Sequence, residues 1–242
     1  MERYFSGTSN LVLPVKNKSY FPPEFQNQTR LTYYASLFNS IEINASFYRM
    51  PIARTVIKWS NEVQNNFRFS FKLIQHVTHM QKQQLDMRPI TAFMTAISAI
   101  HKRGCLLIQL PPKFGPDIMQ LTNLLAELQH YDWPIAIEFR HPGWYNTQVF
   151  DLLTQFNAAM VLHDMRKSAA PMINTSETHV YIRFHGPEGG YRGSYPDDYL
   201  YEYAGYIHDW VSEGKDVYCY FNNTLGAAVQ NLQTLDHFVE IL

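Results

Sequence analysis

Three stretches of the sequence alternate between apolar and polar residues: Ile135-Ala136-Ile137-Glu138-Phe139-Arg140-His141, Val180-Tyr181-Ile182-Arg183-Phe184-His185 and Val217-Tyr218-Cys219-Tyr220-Phe221-Asn222. Alternation with a period of two predicts a β-strand whose two faces meet different surroundings. One face is β-branched or aromatic, as expected where a sheet packs against helices. The other face carries charged and hydrogen-bonding side chains, so it is the place to look for a functional site.

The three stretches belong to a series of eight predicted strands, at residues 4–8, 40–44, 68–73, 105–110, 135–139, 159–163, 179–184 and 216–221. Helical patterns lie between them, at 29–39, 51–63, 88–102, 117–131, 147–157 and 197–213, with a last one from 225 onward. Residues 165–178 show no helical stripe, which predicts an irregular segment in place of the helix after the sixth strand.

The order of strands and helices predicts a parallel sheet covered by helices, so the polar strand face must point into an enclosed space. Buried charge is costly unless it is paired or useful. A doubly wound open sheet would bury both strand faces in helices, and Ser6-Gly7-Thr8-Ser9-Asn10 is not the glycine-rich turn usual after its first strand. We therefore predict an α/β fold with a single (β/α)8 TIM barrel over residues 1–242.

The composition and net charge indicate which classes of binding partner to expect. The chain has 242 residues and a formal net charge of −1, which gives no support for a nucleic-acid or membrane-binding surface. We expect a small-molecule anionic ligand, no membrane and no nucleic acid. Cys105 and Cys219 lie far apart in strand-like runs without zinc-ligand spacing, and the N-terminal residues do not resemble a signal peptide. These features predict a cytoplasmic protein with two buried thiols and no cofactor.

Several ordered motifs together resemble a known family: Ser6-Gly7-Thr8-Ser9, Ile41-Glu42-Ile43-Asn44-Ala45-Ser46-Phe47-Tyr48-Arg49, Phe67-Arg68-Phe69-Ser70-Phe71-Lys72, Gln109-Leu110-Pro111-Pro112, Glu138-Phe139-Arg140-His141-Pro142-Gly143-Trp144, Tyr181-Ile182-Arg183-Phe184-His185-Gly186 and Val217-Tyr218-Cys219-Tyr220-Phe221-Asn222-Asn223. In this order the chain resembles the YecE-like family, also called domain of unknown function 72. The resemblance covers residues 3–232 and implies a TIM-barrel fold. It implies no reaction.

The candidate site lies at the carboxyl ends of the strands, where TIM barrels hold their active sites. The inward-facing residues predicted there are Glu42, Asn44, Lys72, Gln109, Glu138, Arg140, Arg183, His185, Tyr220 and Asn222. The sixth strand offers either His163 or Asp164, and Tyr48, Arg49 and Trp144 follow strand ends where they could wall a substrate. Barrel interiors are normally filled by bulky aliphatic side chains, so a core built for stability alone gives little reason for this set.

The leading hypothesis is an enzyme that acts on a small phosphorylated, carboxylate or sugar-like substrate. Glu138 is its predicted general base or acid, and Lys72, Arg183 and His185 complete the catalytic set. Lys72, Arg140 and Arg183 outnumber Glu42 and Glu138, which predicts binding of an anion. The loop Gly186–Gly193 could hold phosphate through its backbone amides or act as a lid.

Three other interpretations remain open. Glu138 could form a structural ion pair with Arg183 or Lys72. A metal-dependent isomerase-like or endonuclease-like barrel could use Glu42, Glu138, Asp164 and His185 as ligands, although neighbouring cations would repel a divalent ion. A non-enzymatic barrel could use the same pocket to sense a ligand or dock a partner.

Overall fold

The structure is a computed structural model that describes residues 2–79 and 84–242, and it contains all eight predicted strands. The sixth is interrupted at Val161, so the strands are β1 Tyr4–Thr8, β2 Ser40–Ile43, β3 Arg68–Lys72, β4 Arg103–Gln109, β5 Ile135–Glu138, β6 Ala159–Met160, β7 Leu162–His163, β8 His179–Phe184 and β9 Asp216–Phe221. The period-two alternation therefore identified real strands, to within one or two residues at each end.

The helices follow the predicted order. They are α1 Arg30–Leu37, α2 Ala45–Tyr48, α3 Ala53–Asn61, α4 Gln75–Thr78, α5 Ile90–Ile97, α6 Ile118–Leu128, α7 Thr147–Gln155, α8 Asp197–Ser212 and α9 Ala228–Ile241. Three begin at a side chain that accepts a hydrogen bond from the first turn: Thr29, Asp117 and Asn146. The single-turn helices α2 and α4 were not predicted, since one turn is too short to show a helical period. Residues 165–178 are irregular, as predicted.

The strands form two parallel sheets. One has the order β1-β9-β8-β7 and the other the order β2-β3-β4-β5-β6. Among the described residues, the sheets meet at two places. Ser9, just after β1, forms an isolated parallel bridge with Glu42 in β2, and Val161 links β6 to β7, its amide donating to the Ile137 carbonyl at 2.9 Å. The structure thus shows an α/β fold with two parallel sheets, and the closed TIM barrel remains a prediction.

The junction between β1 and β2 is held by a tyrosine hydroxyl. The Tyr34 hydroxyl accepts from the Thr8 amide at 2.7 Å and donates to the Ser40 carbonyl at 3.1 Å. Gly7 makes this close approach possible, because a Cβ built on it would lie 2.1 Å from the Ser40 carbonyl oxygen. The two sheets are therefore joined here by side-chain hydrogen bonding.

The two strand faces meet different surroundings, as the sequence predicted. The larger apolar cluster packs one face of each strand against the helices, and in β8 it takes Val180, Ile182 and Phe184. A second, smaller cluster on the other face consists of Phe5, Cys105, Leu107, Ala136, Val161, Tyr181, Tyr218 and Tyr220. Along β8 this inner face changes from Tyr181 to Arg183, both buried. The charged residues therefore lie at the carboxyl ends of the strands.

Across residues 2–79 and 84–242, no helix has both the length and the apolar character that crossing a membrane requires.

Candidate functional site

The site is organised around Arg183, at the end of β8. Its Nη2 atom donates to Glu42 Oε1 at 2.7 Å and its Nη1 atom donates to Glu138 Oε2 at 2.5 Å. All three side chains are at most 1 % exposed, so the guanidinium is a buried bridge between β2, β5 and β8. Burial alone would lower the pKa of Arg183, but the two carboxylates raise it. Arg183 is therefore permanently charged.

Glu42 is held by three donors. Besides Arg183, the Ser9 hydroxyl donates to Oε1 at 2.6 Å and the Tyr181 hydroxyl donates to Oε2 at 2.7 Å. Burial would raise the pKa of Glu42, but Arg183 and these hydroxyls bring it below its usual value. Sequence reasoning missed Ser9 and Tyr181, although Tyr181 shares the inward face of β8 with Arg183.

Glu138 is bound by two arginines. One oxygen accepts from Arg183 and the other accepts from Arg140 Nε. Burial would raise the pKa of Glu138, yet Arg183 and Arg140 hold it well below its ordinary range. This direction agrees with the predicted base role and disagrees with the acid role, because the carboxyl has no proton to give near neutral pH. Glu138 has no exposed surface.

His185 links this network to Asp164. Its Nε2 atom lies 3.1 Å from Arg140 Nη2 and 3.3 Å from Arg183 Nη1, and a guanidinium can only donate. Nε2 must therefore accept, which assigns the proton of neutral His185 to Nδ1. Nδ1 lies 3.5 Å from Asp164 Oδ1, in contact but outside hydrogen-bond geometry. Burial lowers the pKa of His185 and favours the neutral form.

The sequence left open whether His163 or Asp164 of the sixth strand faces the site, and the structure shows hydrogen-bond contacts for both. Asp164 Oδ1 accepts from the His185 amide at 2.8 Å, and Oδ2 accepts from the Tyr195 hydroxyl. His163 Nε2 lies 3.0 Å from the Phe139 carbonyl and 3.1 Å from the Tyr145 hydroxyl. Asp164 therefore orients the segment that follows β8, while His163 ties β7 to the end of β5. No sequence pattern pointed to Tyr145 or Tyr195.

We expect His163 to make the protein sensitive to acid. Burial lowers its pKa to about 4, whereas an unfolded histidine titrates near 6.5. Its contribution to stability is therefore fully present above pH 6.5 and is lost as the pH falls towards 4, by roughly 3 kcal/mol. Urea unfolding measured from pH 7.5 to pH 4 should show this loss, and His163→Gln should reduce it, while His185, whose pKa burial also lowers, keeps its own share. The exposed His101 provides the control: if His101→Gln and His163→Gln give the same pH dependence, this assignment is wrong.

Lys72, at the end of β3, stands beside the network without an ion pair in the described part of the chain. Its Nζ atom donates to Gln109 Oε1 at 2.7 Å and lies 4.3 Å from the centre of the Phe47 ring. Burial lowers the pKa of Lys72 to about 8, and the positive charge of Arg183 adds to this effect. A free-amine fraction is therefore present near neutral pH.

Several residues predicted for this site lie elsewhere or take other roles. The Tyr220 hydroxyl bonds the hydroxyls of Ser40 and Ser70 at 2.5 and 2.8 Å, which makes it part of the buried inner cluster. Tyr48 is 66 % exposed and packs edge-on against Phe47. Trp144 is fully buried, Arg49 is exposed, and Asn222 and Asn44 are partly buried. Asn44 Oδ1 has no hydrogen-bond partner in the described part of the structure.

A cavity of about 310 Å³ opens beside His185. It lies between the segments that follow β7 and β8, and it is lined by Pro112, Arg140, Asp164, Met165, Arg166, Lys167, Ser168, His185, Gly186, Gly189 and Gly190. The glycine loop is anchored against its neighbours: the Asn223 side-chain amide donates to the Gly193 carbonyl at 3.1 Å, and the Leu225 amide donates to the Tyr191 carbonyl at 3.0 Å.

The charge balance differs from the one counted in the sequence. Arg183 is shared by both glutamates, Arg140 is paired with Glu138, and Asp164 adds a third carboxylate to the network. The excess of positive groups lies at the cavity, where Arg166 and Lys167 join Arg140. Sequence reasoning missed Arg166 and Lys167 because they occupy the irregular segment, where no period assigns a direction to a side chain.

The proposed metal ligands do not form a metal-binding group. Glu42 and Glu138 are brought together, but the guanidinium of Arg183 lies between them. Within the described ranges, no three or more histidine, cysteine, aspartate or glutamate side chains are placed to hold a metal ion. The network therefore gives no support to the metal-dependent alternative.

Comparisons with known proteins agree with the resemblance seen in the sequence. The family model described as "Protein of unknown function DUF72" matches residues 5–241. UPF0759 protein YunF of Bacillus subtilis is 27 % identical over 240 residues, covering 86 % of this chain and 85 % of that protein. UPF0759 protein YecE of Escherichia coli K12 is 31 % identical over 119 residues, covering 48 % of this chain and 43 % of that protein.

Two solved structures share the fold. A DUF72 family protein from Enterococcus faecalis V583 has a TM-score of 0.82 at 20 % identity, over 98 % of this chain and 95 % of that one. A DUF72 family protein from Thermotoga maritima has a TM-score of 0.75 at 22 % identity, over 98 % and 99 % of the two chains. At these identities the likeness concerns the fold.

Proposed function

The chain belongs to the DUF72 family, whose description names no reaction, and we propose that this protein is an enzyme acting on a small anionic substrate at the carboxyl ends of its strands. The anionic group, a phosphate or a carboxylate, would occupy the cavity beside His185. The observation that carries the proposal is the lining of this cavity, where Arg140, Arg166 and Lys167 meet a glycine loop. The carboxylate in this lining, Asp164, already accepts hydrogen bonds from the Tyr195 hydroxyl and the His185 amide.

Glu138 has a positioning role in this proposal. Its carboxylate holds Arg140, whose Nη2 atom contacts His185 at the cavity, and it holds Arg183 on the other side. A base must reach its substrate, and Glu138 is completely buried. Its predicted base role would require Arg140 to move away.

Lys72 is the candidate for the reacting group, because it is partly exposed and free of any carboxylate partner in the described part of the chain. This feature favours an enzyme over a ligand sensor, since anion binding alone has no need of a reactive amine. A sensor would bind the anion without converting it.

Phosphate binding tests whether the cavity holds an anionic group. The double variant Arg166→Gln, Lys167→Gln should weaken the affinity for inorganic phosphate at least about tenfold, because each lost charged hydrogen bond costs about 1.5 to 3 kcal/mol. Isothermal titration calorimetry measures the change. Arg192→Gln is the matched control, since Arg192 is exposed on the same glycine loop and is not part of the lining. Equal affinities for the double variant and the unaltered protein would contradict the proposal.

We propose in addition that the two sheets form one closed (β/α)8 barrel in a single domain. Two features support closure: the Ser9–Glu42 bridge on one side, and the continuous segment through Val161 on the other. The aromatic and charged inner face of the strands would then be the barrel interior.

A further inference from the structure

We propose that Lys72 is a carbonyl-reactive amine that forms an imine with a keto or aldehyde group of the substrate. This inference rests on the proposed function, because it adds a carbonyl to the anionic substrate, and it names the reaction class that the cavity alone leaves open. The substrate class is a small phosphorylated or carboxylated carbonyl compound.

Lys72 is held by a neutral hydrogen-bond acceptor and an aromatic ring, without a direct ion pair in the described part of the chain. The acceptor of its hydrogen bond is the neutral amide oxygen of Gln109, which can serve an amine as well as an ammonium. Phe47 covers the other side, with Nζ 4.3 Å from its ring centre. The contact with the Phe47 ring favours the charged form, but no carboxylate lies within ion-pair distance among residues 2–79 and 84–242 to add a direct ion pair.

Besides burial, the neighbouring charges act in both directions: Arg183 and Arg140 lower the pKa of Lys72, whereas Glu138 and Glu42 raise it. Both glutamates are themselves hydrogen-bonded to Arg183, and Glu138 also to Arg140. Burial and the two arginines prevail and lower the pKa of Lys72 to about 8. Lysines placed in this way are the ones that act as nucleophiles.

Imine formation needs no cofactor. The Nζ lone pair of neutral Lys72 attacks the carbonyl carbon, a C–N bond forms, and the carbonyl oxygen leaves as water with the two protons that the amine gave up. Protonation of the imine nitrogen then makes it an electron acceptor for an adjacent carbon–carbon or carbon–hydrogen bond. Glu42 and Glu138 have pKa values below the ordinary range, so neither supplies that proton.

Borohydride trapping tests the inference. The full chain is incubated with dihydroxyacetone phosphate, the imine is reduced by borohydride to a stable secondary amine, and tryptic peptides are mapped by mass. At pH 7.5 the peptide containing Lys72 should carry the adduct about tenfold or more above the peptide containing exposed Lys58, since each unit of pKa changes the free-amine fraction about tenfold. Labelling of Lys72 should reach half its maximum near pH 8.

The controls are Lys72→Met, which should lose the adduct, and Lys58→Met, which should keep it. Equal labelling of exposed lysines, or no label on Lys72, overturns the inference. The pH profile is measured on the unaltered protein, so a folding defect in Lys72→Met leaves the test decisive. If Lys72 is labelled while inorganic phosphate neither binds nor competes, the imine inference stands and the anion cavity of the proposed function is overturned.

Discussion

Replacing Arg183 by methionine should lower the free energy of unfolding by about 3 to 5 kcal/mol at pH 7. The guanidinium pairs with both Glu42 and Glu138, at 2.7 and 2.5 Å, and all three side chains are buried. Removing it leaves two carboxylates without their shared cation in a space that water does not reach. Arg140 still pairs with Glu138, so Glu42 bears the larger part of the loss.

The pH dependence identifies the cause. Once Arg183 is gone, burial raises the pKa of Glu42 above all, since Arg140 still pairs with Glu138, and protonation at lower pH removes the unpaired charge. The difference between Arg183→Met and the unaltered protein should therefore shrink between pH 7 and pH 5. Urea unfolding at both values measures it. The control is Arg3→Met, which breaks a half-exposed pair with Asp216 and should cost at most about 1 kcal/mol. Equal losses of unfolding free energy in the two variants would contradict the larger stabilising role predicted for the buried bridge.

Gly7→Ala should destabilise the protein by about 3 kcal/mol, and the damage should be local to the junction of the two sheets. The added Cβ would lie 2.1 Å from the Ser40 carbonyl oxygen and 2.9 Å from the Tyr34 hydroxyl. Backbone cannot rotate away as a side chain can, so β1 must shift from β2. The shift would also strain the bridge between Ser9 and Glu42.

Gly205→Ala is the matched control for this substitution. Gly205 lies in α8, and a Cβ there would meet nothing within 4 Å. Alanine should therefore stabilise the protein by about 0.4 to 1 kcal/mol, because it reduces the freedom of the unfolded chain. Thermal unfolding of the two variants should give melting temperatures displaced in opposite directions. A melting temperature for Gly7→Ala at or above that of the unaltered protein would contradict the junction described above.

Much of the fold could be predicted because strand alternation is a local property. Successive side chains of a strand point to opposite faces whatever the strand pairs with, so the direction of Glu138 and Arg183 followed from their positions alone. The same reasoning placed Tyr220 near the site, although it lies deeper, against Ser40 and Ser70. The alternation along a strand predicts which face a residue lies on, but its depth in the structure depends on the register between strands.

The sequence by itself determined the order of strands and helices, the enclosed polar face and the acidic and basic groups on it, because each depends on a period that neighbouring residues set. Only the tertiary structure decided which groups meet. Arg183 bridges glutamates from two distant strands, Lys72 is left without a carboxylate partner in the described ranges, and Arg166 and Lys167 reach the cavity from an irregular segment. These pairings arise from strand register and loop paths, which bring together residues far apart in the chain and leave no mark in local patterning.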